Sequence, residues 1–218
     1  METQKLLKKI SQLPVIPVFY NPDTEITLNV ISACYEGGMR VFEFTNRGPE
    51  SETVFKEILA NRSSYPEMAL GIGTIMNKLH AKVFTHLGAD FLVSPILDMN
   101  VAKVCKQRNK PWIPGCGTLT EVIKANRSGA ELVKVFPGNV LGAGFIKSVL
   151  GPCPDLRLMP TGGVKPSKEN LEEWFSAGAF SVGIGSSLFD KEIILPENHD
   201  QLVQKIVEVG KTVHKLKG

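Results

Sequence analysis

The stretch "AELVKVFPGN" (residues 130–139) places a lysine in the middle of an apolar strand pattern. Strand side chains alternate between two faces, so Leu132, Lys134 and Phe136 share one face and Val133 and Val135 share the other. Both faces read as covered, which sends the Lys134 ammonium into an apolar interior. Burying a charge is costly unless it is paired or neutralised. A second charged residue, Glu43 in "RVFEFTNR", is embedded in the same kind of apolar strand. One reading joins the two as a buried ion pair, a weak contributor to stability. The other is chemical. A buried amine that loses its proton is a nucleophile and forms a Schiff base with a carbonyl substrate. A carboxylate within reach then serves as general acid and base. Burial lowers a lysine pKa in general and a nearby carboxylate raises it, so both readings stay open here, and the pairing favours chemistry.

Such a pair needs elements to hold it. Four segments superimpose: "GMRVFEF" from Gly38, "GADFLVS" from Gly88, "GAELVKV" from Gly129 and "GAFSVGI" from Gly178. Each is a glycine followed by a short apolar strand. Between them lie "VIPVFY" (15–20), "MALGIGT" (68–74), "PWIPGCGT" (111–118) and "RLMPTGG" (157–163). Eight strands result, with room for a helix after each. The intervening segments read as helices. Asp23 is the expected N-cap of one, Thr118 and Glu121 are in capping-box register, and Ser167 caps a third. Leu171, Trp174 and Phe175 form an apolar stripe for core packing. A closing helix is expected over 201–217. No linker divides the chain, so the expectation is one (β/α)₈ TIM barrel domain over 1–218, with helices at both ends. A doubly wound open sheet is the competing architecture.

The repeat also gives a register. Five residues after each aligned glycine stand Glu43, Val93, Lys134 and Gly183, all on even strands. Barrel interiors are packed in layers of four side chains from alternate strands. These four are therefore expected to form one layer, with Glu43 facing Lys134 and the two smaller residues leaving space.

The strand ends add a second theme. They read "GIGT", "PGCGT", "PTGG" and "GIGSS", at the end of the barrel where active sites are built. Glycine turns let backbone N–H groups approach a ligand. The last two, Thr161-Gly162-Gly163 and Gly185-Ser186-Ser187, are adjacent and carry hydroxyls, which points to a phosphate. Arg47, four residues past Glu43, is placed either to grip a carboxylate or to be a solvated loop residue.

Composition bounds the rest. The chain has 218 residues, 43% hydrophobic and 22% charged, with a net charge of +3, too small to argue for nucleic acid. The basic termini "KLLKKI" and "KTVHKLKG" read as solvated helix faces. Cys34, Cys105, Cys116 and Cys153 fit no zinc spacing and read as reduced thiols in a cytoplasmic protein. Cys116, in a Gly-rich turn, reads as a small filler. The four histidines show no metal cluster. No signal peptide or membrane span is expected.

The motifs "FEFTNR", "GIGT", "SP", "IPG", "VKVFPGN", "PTGGV" and "GIGSS" occur in order from about Val15 to about Phe189. In combination they resemble the class I 2-keto-3-deoxy-6-phosphogluconate aldolases, including those also called 4-hydroxy-2-oxoglutarate aldolases. The resemblance implies a (β/α)₈ barrel, a homotrimer, and no metal or organic cofactor. It implies that Lys134 is the Schiff-base lysine and Glu43 the general acid/base. Arg47 and Thr74 would hold the pyruvate carboxylate, with Pro95 and Phe136 as walls around the pyruvate. Thr161, Gly162, Gly163, Gly185 and Ser186 would form the phosphate set. The implied reaction is retro-aldol cleavage of a keto-acid phosphate to pyruvate and glyceraldehyde 3-phosphate, Glu43 shuttling protons through a water.

Two departures bear on specificity. Ile96 follows "SP" where the phosphogluconate-type enzymes usually carry glycine, and it is expected to narrow or reshape the mouth beside the fourth strand. "PGCGT" and "ENLEEWFSAG" resemble the branch acting on the galactonate epimer, whereas Arg47 and "PTGG" follow the phosphogluconate pattern. The alternatives are thus a 2-keto-3-deoxy-6-phosphogalactonate aldolase, or a phosphate-binding barrel such as a sugar-phosphate epimerase, which needs no lysine opposite a glutamate.

Overall fold

The computed structural model describes residues 1–217. Nine strand segments alternate with helices: β1 (Val15–Phe19), β2 (Val41–Thr45), β3 (Ala69–Gly73), β4 (Leu92–Val93), β5 (Trp112–Ile113), β6 (Gly115–Cys116), β7 (Val133–Val135), β8 (Leu158–Pro160) and β9 (Val182–Ile184). The helices are α1 (Thr3–Gln12), α2 (Thr24–Glu36), α3 (Ser51–Ala60), α4 (Lys78–Leu87), α5 (Met99–Gln107), α6 (Leu119–Arg127), α7 (Gly138–Leu150), α8 (Lys168–Ser176) and α9 (His199–Lys217). The class is α/β, with every described strand pairing parallel.

The strands run in two curled sheets, ordered β5-β4-β3-β2-β1-β9 and β6-β7-β8. The expected single strand over 111–118 is divided at Pro114. Proline has no amide hydrogen and cannot donate to a ladder. Its carbonyl still accepts from the Lys134 amide at 2.9 Å. The chain therefore passes from one sheet to the other through this residue. At the opposite edge, Thr161 bridges to Gly183.

The helix starts follow the cap chemistry. Asp23 accepts from the amides of Glu25 and Ile26, at 2.8 and 3.1 Å. Thr118 and Glu121 close a capping box, and the Ser167 hydroxyl accepts from the Asn170 amide. Each cap satisfies amides that have no partner inside the helix.

Two apolar clusters result. The larger lies between strands and helices, and Val133 and Val135 belong to it. The smaller fills the space enclosed by the strands, with Ile16, Val41, Ala69, Phe91, Val93, Ile113, Leu132 and Met159. The terminal helix α1 is not merely a solvated face. Its lysines are outward, but Leu6, Leu7 and Ile10 are buried against this inner cluster. The helix thus closes the N-terminal end of the strands, and the opposite end is left open.

Candidate active site

Glu43 and Lys134 stand directly above the inner cluster. The two residues below them on the same strand faces, Val41 and Leu132, belong to that cluster. Lys134 is 6% exposed and Glu43 is fully buried. The Lys134 Nζ lies 3.8 Å from Glu43 Oε1, longer than a direct hydrogen bond. Among the described residues neither carboxylate oxygen of Glu43 has a hydrogen-bond partner. Burial pushes the Glu43 carboxyl above its ordinary range, and the positive charges of Lys134 and Arg47 only partly oppose that. The ammonium also lies 5.3 Å from the centroid of the Phe136 ring, within cation–π range.

Glycines make the room. A Cβ on Gly73 would collide with Glu43 Oε1, and one on Gly183 would collide with Thr161 Oγ1. Val93, expected in the same layer as Glu43 and Lys134, is buried and belongs to the inner cluster. Space over the pair comes from Gly73 and Gly183.

A cavity of about 630 Å³ opens above. All eleven residues singled out from the sequence line it. Arg47 stands exposed just beyond β2. Thr74, just beyond β3, has a φ of 60°, a region that β-branched residues rarely enter. Flanking bonds hold it there: Asn46 N–H donates to the Gly73 carbonyl at 2.9 Å, and Ile75 N–H to the Val93 carbonyl at 3.1 Å. Pro95 reaches the cavity because Gly115 has no side chain to strike its carbonyl.

On the far side the loops after β8 and β9 face the cavity. Gly162 and Gly163 have φ of 94° and 76°, which glycine adopts without strain. The Gly138 amide, at the start of α7, donates to the Thr161 carbonyl at 2.8 Å. The Thr161 Oγ1 is buried and has no hydrogen-bond partner among the described residues. Ser187 donates to the Val164 carbonyl at 2.7 Å, which ties the two loops together.

Three lining residues were not singled out from the sequence: Val18, Val164 and Lys165; Gly183, read as one of the layer with Glu43 and Lys134, and Ser187, of the last glycine turn, line the cavity as well. Val18 was findable as the β1 partner of Glu43, and Lys165 as a neighbour of the glycine turn. Ile96 is exposed and lies outside the cavity lining, next to the lining residue Pro95. Cys116 is buried outside the lining, and burial pushes its thiol up to about 12. His80 and His86 lie on α4, and His199 and His214 on α9. Among the described residues no group of three or more His, Cys, Asp or Glu is placed to hold a metal. No helix there is long and apolar enough to cross a membrane.

Comparison with known proteins agrees with this geometry. The family described as KDPG and KHG aldolase matches residues 6–206. The 2-dehydro-3-deoxy-phosphogluconate aldolase of Haemophilus influenzae is 28% identical over 213 residues, 96% of this chain and 98% of that protein. The 2-dehydro-3-deoxy-6-phosphogalactonate aldolase of Escherichia coli is also 28% identical, over 82% of this chain and 86% of its own. Among solved structures, the KDPG aldolase of Legionella pneumophila, with pyruvate captured at low pH as a covalent carbinolamine intermediate, matches with a TM-score of 0.84. It is 25% identical and covers 94% of this chain and 97% of that one. This chain belongs to the KDPG and KHG aldolase family.

Proposed function

We propose that the chain is a class I aldolase that cleaves 2-keto-3-deoxy-6-phosphogluconate to pyruvate and glyceraldehyde 3-phosphate. It also cleaves 4-hydroxy-2-oxoglutarate to pyruvate and glyoxylate. The observation that carries this is the buried Lys134–Glu43 pair, 3.8 Å apart at the base of the cavity. A structural ion pair would not need an open cavity above it or a carboxyl shifted upward by burial.

In this reading the Lys134 amine adds to the C2 carbonyl and the carbinolamine loses water to give an iminium. Removal of the C4 hydroxyl proton lets the C3–C4 bond break. Its electrons flow to the iminium nitrogen and glyceraldehyde 3-phosphate leaves. Protonation of the enamine at C3 and hydrolysis release pyruvate and the free lysine. Glu43 moves these protons, directly or through one water. A carboxyl shifted upward by burial holds a proton more readily than an ordinary one, which suits a group that must take and return one. Arg47 and Thr74 hold the pyruvate carboxylate, and Pro95 and Phe136 bracket the methyl carbon. Thr161, Gly162, Gly163, Gly185 and Ser186 hold the phosphate through hydroxyls and backbone amides.

The wider reading is a single-domain closed (β/α)₈ barrel, working in the cytoplasm as a homotrimer without metal or organic cofactor. Closure is supported by the links at Pro114 and at Thr161–Gly183. Assembly is supported by exposed apolar side chains at the starts of four successive helices, α4 to α7: Met76, Leu79, Ile96, Met99, Leu119 and Val140.

A second reading, cleavage of the galactonate epimer, is supported by an identity to the phosphogalactonate relative equal to that to the phosphogluconate relative. Pyruvate release from each C4 epimer, coupled to lactate dehydrogenase, separates the two. The gluconate epimer is expected to be cleaved with kcat/KM at least tenfold higher. The reverse order assigns the chain to the second reading, and no pyruvate from either overturns both.

A further inference from the structure

The cavity carries one carboxylate, Glu43, and three cations: Arg47, Lys134 and Lys165. They are not spread evenly. Lys134 is on β7 and Arg47 follows β2. On the side of the β8 and β9 loops, the lining residues Thr161, Gly162, Gly163, Gly185, Ser186 and Ser187 offer only neutral donors. Lys165 is the sole charge there. Among the described residues it forms no ion pair, so its charge is not committed to the protein. The start of its side chain is fixed. Its backbone N–H donates to Asn170 Oδ1 at 2.7 Å. Val164 before it is buried and bonded through its carbonyl to Ser187. Pro166 and the Ser167 cap of α8 follow.

We propose that Lys165 is a specificity-determining residue that holds the phosphate of the substrate. The inference rests on the aldolase reading and deepens it. Neutral hydroxyls and amides hold a phosphate in place, and a lysine adds a charge-assisted contact. Arg47 and Lys165 then grip the two anionic ends of one substrate, the carboxylate and the phosphate ester, with the carbonyl over Lys134. A substrate such as 4-hydroxy-2-oxoglutarate has no phosphate, and its distal carboxylate, attached directly to C4, stops short of the reach of a phosphate ester on C6, so it gains less from Lys165. The residue therefore biases the enzyme toward phosphorylated aldehyde partners.

The test compares wild type, Lys165→Ala and Lys165→Arg. In turnover, Lys165→Ala should raise KM for the phosphorylated substrate about tenfold, with kcat little changed. Its KM for 4-hydroxy-2-oxoglutarate and its borohydride-trapped pyruvate adduct should match wild type, and Lys165→Arg should recover most of the loss. Calorimetric titration with glycerol 3-phosphate, and with glycerol as control, reads the same contact without turnover. It should show a similar loss of affinity in Lys165→Ala. Unchanged affinity for glycerol 3-phosphate in Lys165→Ala overturns the proposal, as does an equal loss for both substrates. If pyruvate traps but wild type does not bind glycerol 3-phosphate, Lys165 has no such role while the aldolase reading stands. If glycerol 3-phosphate binds through Lys165 but pyruvate does not trap, the aldolase reading fails and the phosphate contact stands.

Discussion

Gly73→Ala perturbs the reacting pair without substituting either member. The added Cβ would collide with Glu43 Oε1 and lie 2.7 Å from its carboxyl carbon. Ordinary contacts begin near 3.4 Å, so the carboxyl carbon must withdraw by roughly 0.7 Å and the colliding oxygen by more than that. Glu43 is fully buried beside packed neighbours, and such interiors give way only with strain. Overpacking of this kind costs about 1–3 kcal/mol. For a chain of this length that lowers Tm by roughly 2–4 °C per kcal/mol. The catalytic cost is larger in proportion. A displacement approaching 1 Å in a proton-transferring group can cost about 10²-fold. The variant should therefore show kcat reduced about 10- to 100-fold. Lys134 sits on another strand, so pyruvate should still be trapped on it by borohydride. Steady-state kinetics, intact-mass measurement and a thermal melt on one preparation check all three. Wild-type kcat in a folded Gly73→Ala protein would refute the placement of Glu43 in the mechanism.

Two further perturbations follow from the same geometry. Burial raises the Glu43 carboxyl above its ordinary range, so the folded state prefers the neutral acid. That contribution to stability is complete below the unfolded carboxyl value of about 4.3 and is lost as pH rises through the higher folded value. Gln mimics the neutral form, so Glu43→Gln should melt above wild type at pH 8, converging with it toward pH 4. Its turnover should fall at least about 10²-fold, and a lower melt at pH 8 would contradict the sign. Thr74→Gly should relieve the left-handed backbone at φ 60°, raising stability by about 1 kcal/mol while raising KM for the keto acid several-fold. A clear drop in Tm would show that Thr74 is held without strain.

The parts legible in the sequence were those with a local cause. Lys134 stood out because a charge occupied a strand with two covered faces. Glu43 followed from the glycine-to-strand repeat, and the caps at Asp23, Thr118 and Ser167 from side chains that reach their own helix. What escaped was set by neighbours distant in sequence. Gly73 read as part of a ligand-binding turn, but its lack of a side chain makes room for a carboxylate on the adjacent strand. Thr74 gave no sign of its backbone, because threonine is among the residues least suited to it. The break at Pro114 was readable from proline chemistry and was read through as one strand. Lys165, just past the glycine turn, carried no sequence signal that set it apart from other lysines, and it is the fold that makes it a lining residue.

The central claim is that Lys134 is buried to act as a nucleophile. Intact-mass spectrometry after addition of pyruvate and borohydride tests it most directly, with Lys134→Ala measured in parallel. The account predicts one reduced pyruvyl adduct on the wild type, located at Lys134, and none on the variant. A wild type that gains no mass, or an adduct of equal yield on Lys134→Ala, would contradict it and return Lys134 to being half of an ion pair.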